Sequence, residues 1–190
     1  CLELKWFGGY IFGKYSIGQS NMECNLTVDA NFNRDGKNIF YFWDKIDSIP
    51  EGFAKNIEIT RRCNPDWSVY LIGDTLIKEL ISDDKELLNI YENVRVPAGR
   101  SDIARLVLLS RFGGWYFDAD LAVNGDISRF GAEKTLIFKR DDAAFIKKRG
   151  PKRAWITNMV IFALKGDSFI EAILNEIRRN FREGKFPYNV

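Results

Sequence analysis

The stretch "SDIARLVLLSRFGGWYFDADL", Ser101 to Leu121, constrains the fold of this chain more than any other. Ile103, Leu106 and Val107 recur at helical spacing, so one face of a helix is apolar. Ser101 stands where an N-cap is expected, with Asp102 in the first turn near the positive end of the helix. Gly113-Gly114 closes that helix. Trp115–Asp120 then reads as a buried strand, and it ends, against its aromatic character, on Asp118 and Asp120.

The neighbouring segments repeat the alternation. "NIFYFW" (Asn38–Trp43) reads as a buried strand, and Phe53–Arg62 as a helix that Asn64-Pro65-Asp66 ends. "WSVYLIGD" (Trp67–Asp74) reads as a second strand, followed by helices over Thr75–Ser82 and Lys85–Tyr91. Lys134–Arg140 and Asn158–Leu164 read as strands, and Ser168–Arg182 as an amphipathic helix. Strands alternating with helices predict an α/β domain around a mainly parallel sheet. Residues 1–37 are Gly- and Asn-rich, are expected to be irregular or hairpin-like, and are assigned no role.

At 190 residues the chain fits one domain, taken as 1–190, with room for a sizeable core. A net charge of +2 gives no global signal for nucleic acid. The chain has no His, so any metal must be held by oxygen ligands or by Cys1, Cys24 and Cys63. Those cysteines are scattered and odd in number, which argues against a disulfide framework and for a reducing, cytoplasmic compartment. No stretch approaches the ~20 apolar residues of a membrane span. Asn25-Leu26-Thr27 is a glycosylation sequon of the kind chance often supplies.

In a strand, residues two apart share a face, so Asp118 and Asp120 aim together at the carboxyl end of a buried strand. Open α/β sheets place ligands at that edge. Two convergent carboxylates repel each other, and a divalent cation relieves the repulsion. Mg2+ or Mn2+ prefers oxygen donors and is commonly held by one or two carboxylates together with waters and substrate phosphates. The plain alternative is a pair of acids that cap a turn. For Asp102 and Arg105, one turn apart, it is an intrahelical ion pair. For Trp43 and Tyr116 it is simple core packing.

Taken together, S-D-x-x-R on a helix followed by G-G-x-Y-x-D-x-D resembles the sugar transferases that contain a DXD motif. Ser101, Asp102, Arg105, Gly113, Gly114, Tyr116, Asp118 and Asp120 carry the resemblance, and "NPDWSVYLIGD" adds to it. It implies a GT-A fold, the Rossmann-like nucleotide-sugar-binding type. It implies a metal-dependent hexosyltransferase that uses Mn2+ or Mg2+. The donor it implies is a nucleotide sugar, UDP-sugar rather than GDP-sugar, and the acceptor a glycan or glycoprotein. Trp43 would stack on the base, and Asp102 and Arg105 would reach sugar hydroxyls. Tyr116 would reach diphosphate or sugar, and Asn158, at the head of its strand, would face the sugar. Asp120 would ligate the metal, and Asp118 would contact ribose or sugar and assist the metal through water.

The family's further metal or diphosphate contact beyond the DXD strand has no obvious counterpart here. The basic run Lys139-Arg140, Lys147-Lys148-Arg149 and Lys152-Arg153 reads as a solvated loop or as a contact for an anionic group. Two other classes stay open: a degenerate transferase domain that binds glycan or nucleotide, and a phosphatase of the haloacid-dehalogenase type, whose D-x-D "FDADLAV" mimics.

Overall fold

The computed structural model describes residues 32, 33, 35–130, 133–140 and 155–186. The elements run β1 (Asn38–Phe42), α1 (Glu51–Cys63), β2 (Ser68–Ile72), α2 (Asp74–Leu80), α3 (Lys85–Asn93) and α4 (Pro97–Phe112). They continue with β3 (Gly114–Phe117), β4 (Leu136–Arg140), β5 (Trp155–Ala163) and α5 (Ser168–Arg182). Short 3-10 turns cover Ile46–Ser48 and Ile127–Phe130.

The strands form one sheet in the order β2-β1-β3-β5-β4. β1 pairs parallel to both β2 and β3, whereas β5 is antiparallel to β3 and to β4. Among the described residues four strands therefore point one way and only β5 runs against them, in keeping with a mainly parallel α/β sheet.

Both faces of the sheet are covered, which explains why β1 is buried throughout rather than on alternate residues. Phe40 and Phe42 face a core built with α2, α3, α4 and α5. Ile39 and Tyr41 face a second core with Ile57 of α1, Trp115 and Phe117. Fully burying each such side chain contributes roughly 1.5–3 kcal/mol relative to exposure. Phe32 belongs to the first core, its ring lying 4.2 Å from Phe112 and 5.1 Å from Tyr70, centroid to centroid. A piece of the unassigned N-terminal segment is thus core. Residues 1–31 and 34, with Cys1, Cys24 and Asn25 among them, lie outside the described residues.

Three boundaries depart from the sequence reading. First, α4 begins at Pro97, with Val96 as its N-cap, so Ser101 is not a cap but a residue of the second turn. Proline at the first helical position needs no N–H and has its φ preset, which lets the helix start a turn earlier. Second, β3 stops at Phe117, because Asp118 opens a turn in which the Leu121 N–H donates to the Asp118 carbonyl at 2.9 Å. Third, β5 begins at Trp155, so Asn158 stands inside the strand rather than at its head.

The double glycine acts as expected, with φ of +68° at Gly113 and +112° at Gly114. A Cβ on Gly114 would lie 2.3 Å from the Asn38 carbonyl oxygen, so the helix-to-strand turn depends on that missing atom.

Candidate functional site

A cavity of about 590 Å3 opens at the carboxyl edge of β1 and β3. It brings together all seven side chains nominated from the sequence: Trp43, Asp102, Arg105, Tyr116, Asp118, Asp120 and Asn158. Phe53, Asp44 and Ser101 also line it. A second cavity of about 550 Å3, mostly apolar, shares Asp102, Arg105 and Asn158 with the first, so these three form a wall between the two.

Arg105 is the centre of that wall. Its side chain is 5% exposed, and its Nε donates to the Ser101 carbonyl at 3.1 Å. One terminal nitrogen donates to the Asn158 carbonyl. The other donates to the Ser101 hydroxyl at 2.9 Å and lies 2.9 Å from Asp102 and 3.2 Å from Asp118. Its carbon sits 4.7 Å above the Tyr116 ring, a cation–π contact. A buried guanidinium needs this saturation, since an unpaired buried charge is costly. Arg105 thus holds two acids in place. Most of its donors are already engaged, leaving little of its fork for a sugar diol.

Asp102, on α4 three residues before Arg105, also accepts from the Asn158 side-chain amide at 2.8 Å. Being mid-strand, Asn158 offers β5's backbone carbonyl to Arg105 and its side chain to Asp102. The Tyr116 hydroxyl pairs with that of Ser101 at 2.8 Å in full burial, which pushes its pKa up and keeps it a neutral phenol. Trp43 is half-buried, its indole 5.2 Å from Phe53 in an edge-on arrangement that leaves the cavity-side surface open for stacking.

Asp118 is mostly buried and Asp120 is exposed. Burial raises the Asp118 pKa to about 6. Arg105 opposes that rise, the Asp120 charge adds to it, a hydrogen bond with Tyr116 lowers it, and Asp102 adds again. Fully buried residues alternate with more accessible ones from Phe117 to Asn124, although the strand itself ends at Phe117. The parity that directs both acids to one side therefore persists through the turn.

The chemistry of this donor set fits a hard divalent cation: two oxygen-only side chains close enough to repel, one of them poorly solvated. Among the described residues no group of three or more His, Cys, Asp or Glu converges as a self-sufficient cage. Asp118 and Asp120 would hold such an ion only with help from water and substrate phosphates. The Lys147–Lys148–Arg149 and Lys152–Arg153 clusters lie outside the described residues, as do the side chains of Lys139 and Arg140.

Residues 50–137 match the model of the family described as the glycosyltransferase sugar-binding region containing DXD motif. Over that segment the chain resembles the DXD-motif glycosyltransferases. Its curated relatives include the mannosyl phosphorylinositol ceramide synthase SUR1 of Saccharomyces cerevisiae, 26% identical over 145 residues. The inositol phosphoceramide mannosyltransferase 3 of Schizosaccharomyces pombe is likewise 26% identical over 145 residues. Each match covers 76% of this chain but only 35% and 38% of those relatives, so the chain spans little more than a third of their length.

Among solved structures, the PaToxG glycosyltransferase superposes with a TM-score of 0.62 at 22% identity, covering 80% of this chain and 63% of its own. The UDP-bound glycosyltransferase domain from the YGT toxin superposes with a TM-score of 0.51 at 12% identity, covering 77% of this chain and 62% of its own. These likenesses establish the fold of this chain as that of glycosyltransferase domains.

The sequence reading missed the role of Ser101, whose hydroxyl joins Tyr116 to Arg105. Its position one turn before Arg105 was the available signal. It also missed Phe53, which only the packing of α1 beside Trp43 brings to the site.

Proposed function

We propose that this chain transfers a hexose from a nucleotide diphosphate sugar to a hydroxyl of a glycan-bearing acceptor, with Mn2+ or Mg2+ bound at Asp118 and Asp120. The observation that carries the reading is the single cavity in which an open aromatic face, two adjacent carboxylates and a polar wall meet. Trp43 stacks on the base, a contact worth ~1–3 kcal/mol. The cation, when bound, supplies positive charge to the diphosphate as it departs. Asp102 and Asn158 accept from and donate to sugar hydroxyls, while Arg105 fixes Asp102 and Asp118 from behind.

In the transfer, the acceptor hydroxyl oxygen forms a bond to the anomeric carbon. The bond from that carbon to the diphosphate oxygen breaks with its electron pair, and the hydroxyl proton passes to the departing diphosphate or to solvent.

Donor class is read from two sources. The YGT toxin domain was solved with UDP, which supports a UDP-sugar. The curated relatives are named for mannosyl transfer to inositol phosphoceramide, which supports a mannose donor and a lipid-linked glycan acceptor. A panel of UDP- and GDP-hexoses, titrated calorimetrically with Mn2+, separates the two.

Asp120→Ala tests the reading. Asp120 is exposed, so its loss should leave the melting temperature unchanged and abolish Mn2+-dependent nucleotide binding. Full transfer activity in that variant would refute the assignment. Nucleotide binding without sugar release or transfer would favour a binding module, and phosphoester turnover a phosphatase.

A further inference from the structure

Helix α1 carries Asn56 and Thr60, and Asn64 caps its C-terminus, so the three follow at four-residue steps along one side. That face meets the chain that follows β3, and each of the three side chains grips its backbone. The Asn56 amide donates to the carbonyl of Ala119, the residue between the two acids, at 3.2 Å. The Thr60 hydroxyl accepts from the Val123 N–H at 2.9 Å, and the Asn64 side-chain carbonyl accepts from the Ile127 N–H at 2.9 Å. The rungs are joined to each other and to the sheet. Thr60 donates to the Asn56 carbonyl at 3.0 Å and pairs with the Tyr41 hydroxyl at 2.6 Å, and the Asn64 amide donates to the Thr60 carbonyl at 3.0 Å.

We propose that the Asn56–Thr60–Asn64 face of α1 is a positioning ladder that sets the Asp118–Asp120 loop before any cation arrives. Its uppermost rung, Asn56, tunes how well the two carboxylates grip that cation. The bonds fall on residues 119, 123 and 127 of the loop. The side chains of residues 119, 121, 123 and 127 are buried, while Asp118 and Asp120 are left toward the cavity. Anchoring one side of an extended chain by its backbone aims the alternate side chains the other way. Without Asn56 the Ala119 carbonyl loses its partner on α1, and the turn keeps its tie to β5 through the Asp118 N–H but loses its tie to α1 between the two acids. A loop held in its ligating shape loses less entropy on binding, so the ladder acts through affinity.

The proposal rests on the reading of Asp118 and Asp120 as cation ligands, and its test keeps the two apart. Asn56→Leu, Asn56→Gln and Asp120→Ala are compared with the parent chain by calorimetry with UDP and GDP in the presence of Mn2+, and by Mn2+ paramagnetic resonance. Asn56→Leu should weaken the Mn2+-dependent binding about tenfold, the scale seen when a metal ligand loses its outer support. Its melting temperature should fall only about 2–4 °C. Asn56→Gln, which keeps the amide donor, should recover most of the affinity. An Asn56→Leu chain that binds like the parent while Asp120→Ala has lost binding would overturn the ladder and leave the cation reading intact. An Asp120→Ala chain that binds like the parent would overturn both.

Discussion

Asp118 concentrates the conflict of the site in one carboxyl group. Its pKa is raised from 3.8 to about 6 by burial, despite the adjoining Arg105. A folded-state value above the unfolded one means that the fold favours the protonated acid. The associated stability is present in full below about pH 4 and is lost as pH rises through about 6. In cation-free buffer Asp118→Asn should therefore match the parent near pH 4. It should exceed the parent near pH 7.5 by something on the order of 1–3 kcal/mol. Urea unfolding of both chains across that range measures the difference, and a constant gap would mean that Asp118 does not titrate as argued. A site that is less stable without its ligand is a common cost of function.

At the scale of elements, the turn between α4 and β3 is the clearest example of sequence dictating shape. Gly114→Ala would force a Cβ against the Asn38 carbonyl oxygen at a φ of +112°. Chemical denaturation should show a loss of about 2–4 kcal/mol. Asn38 is fixed on its other side as well, since its amide donates to the Asn33 carbonyl at 3.0 Å. The double glycine was legible because positive φ leaves few other residues to choose from.

Other features of the elements were not legible. Ser101 looked like a cap because serine caps helices in general, while Pro97 had in fact already started this one. The end of β3 and the start of β5 depend on pairing between strands, which no local pattern records. That the seven nominated residues would line one cavity was legible because side-chain chemistry and spacing persist in the sequence. What they do to each other was not. That Arg105 spends its donors on Ser101, Asp102, Asp118 and a carbonyl of β5 needs the three-dimensional arrangement. The α1 ladder was half-visible, since three hydrogen-bonding residues four apart mark a face but not what it faces.

For the whole molecule, the cavity joins elements on either side of the sheet's centre, so a bound donor should stabilise the entire domain rather than a loop. A nucleotide with Mn2+ at a hundred times its dissociation constant adds about 2.7 kcal/mol, or roughly 5–11 °C in melting temperature for a domain of this size. Scanning calorimetry should show that rise with nucleotide and Mn2+ together. Chelation by EDTA should remove it. A rise that survives EDTA would detach nucleotide recognition from the acids.

The one strand that opposes the others has its own consequence for how the molecule assembles. β5 is the only described element beyond residue 140 that contributes to the first cavity, and it brings the carbonyl that sequesters the Arg105 charge. Until that late segment docks, the guanidinium of α4 stays hydrated and Asp102 lacks the Asn158 amide. Such long-range closure is the slow part of a folding reaction. The wall between the two cavities should therefore be among the last features to mature, after the parallel strands have already set the frame.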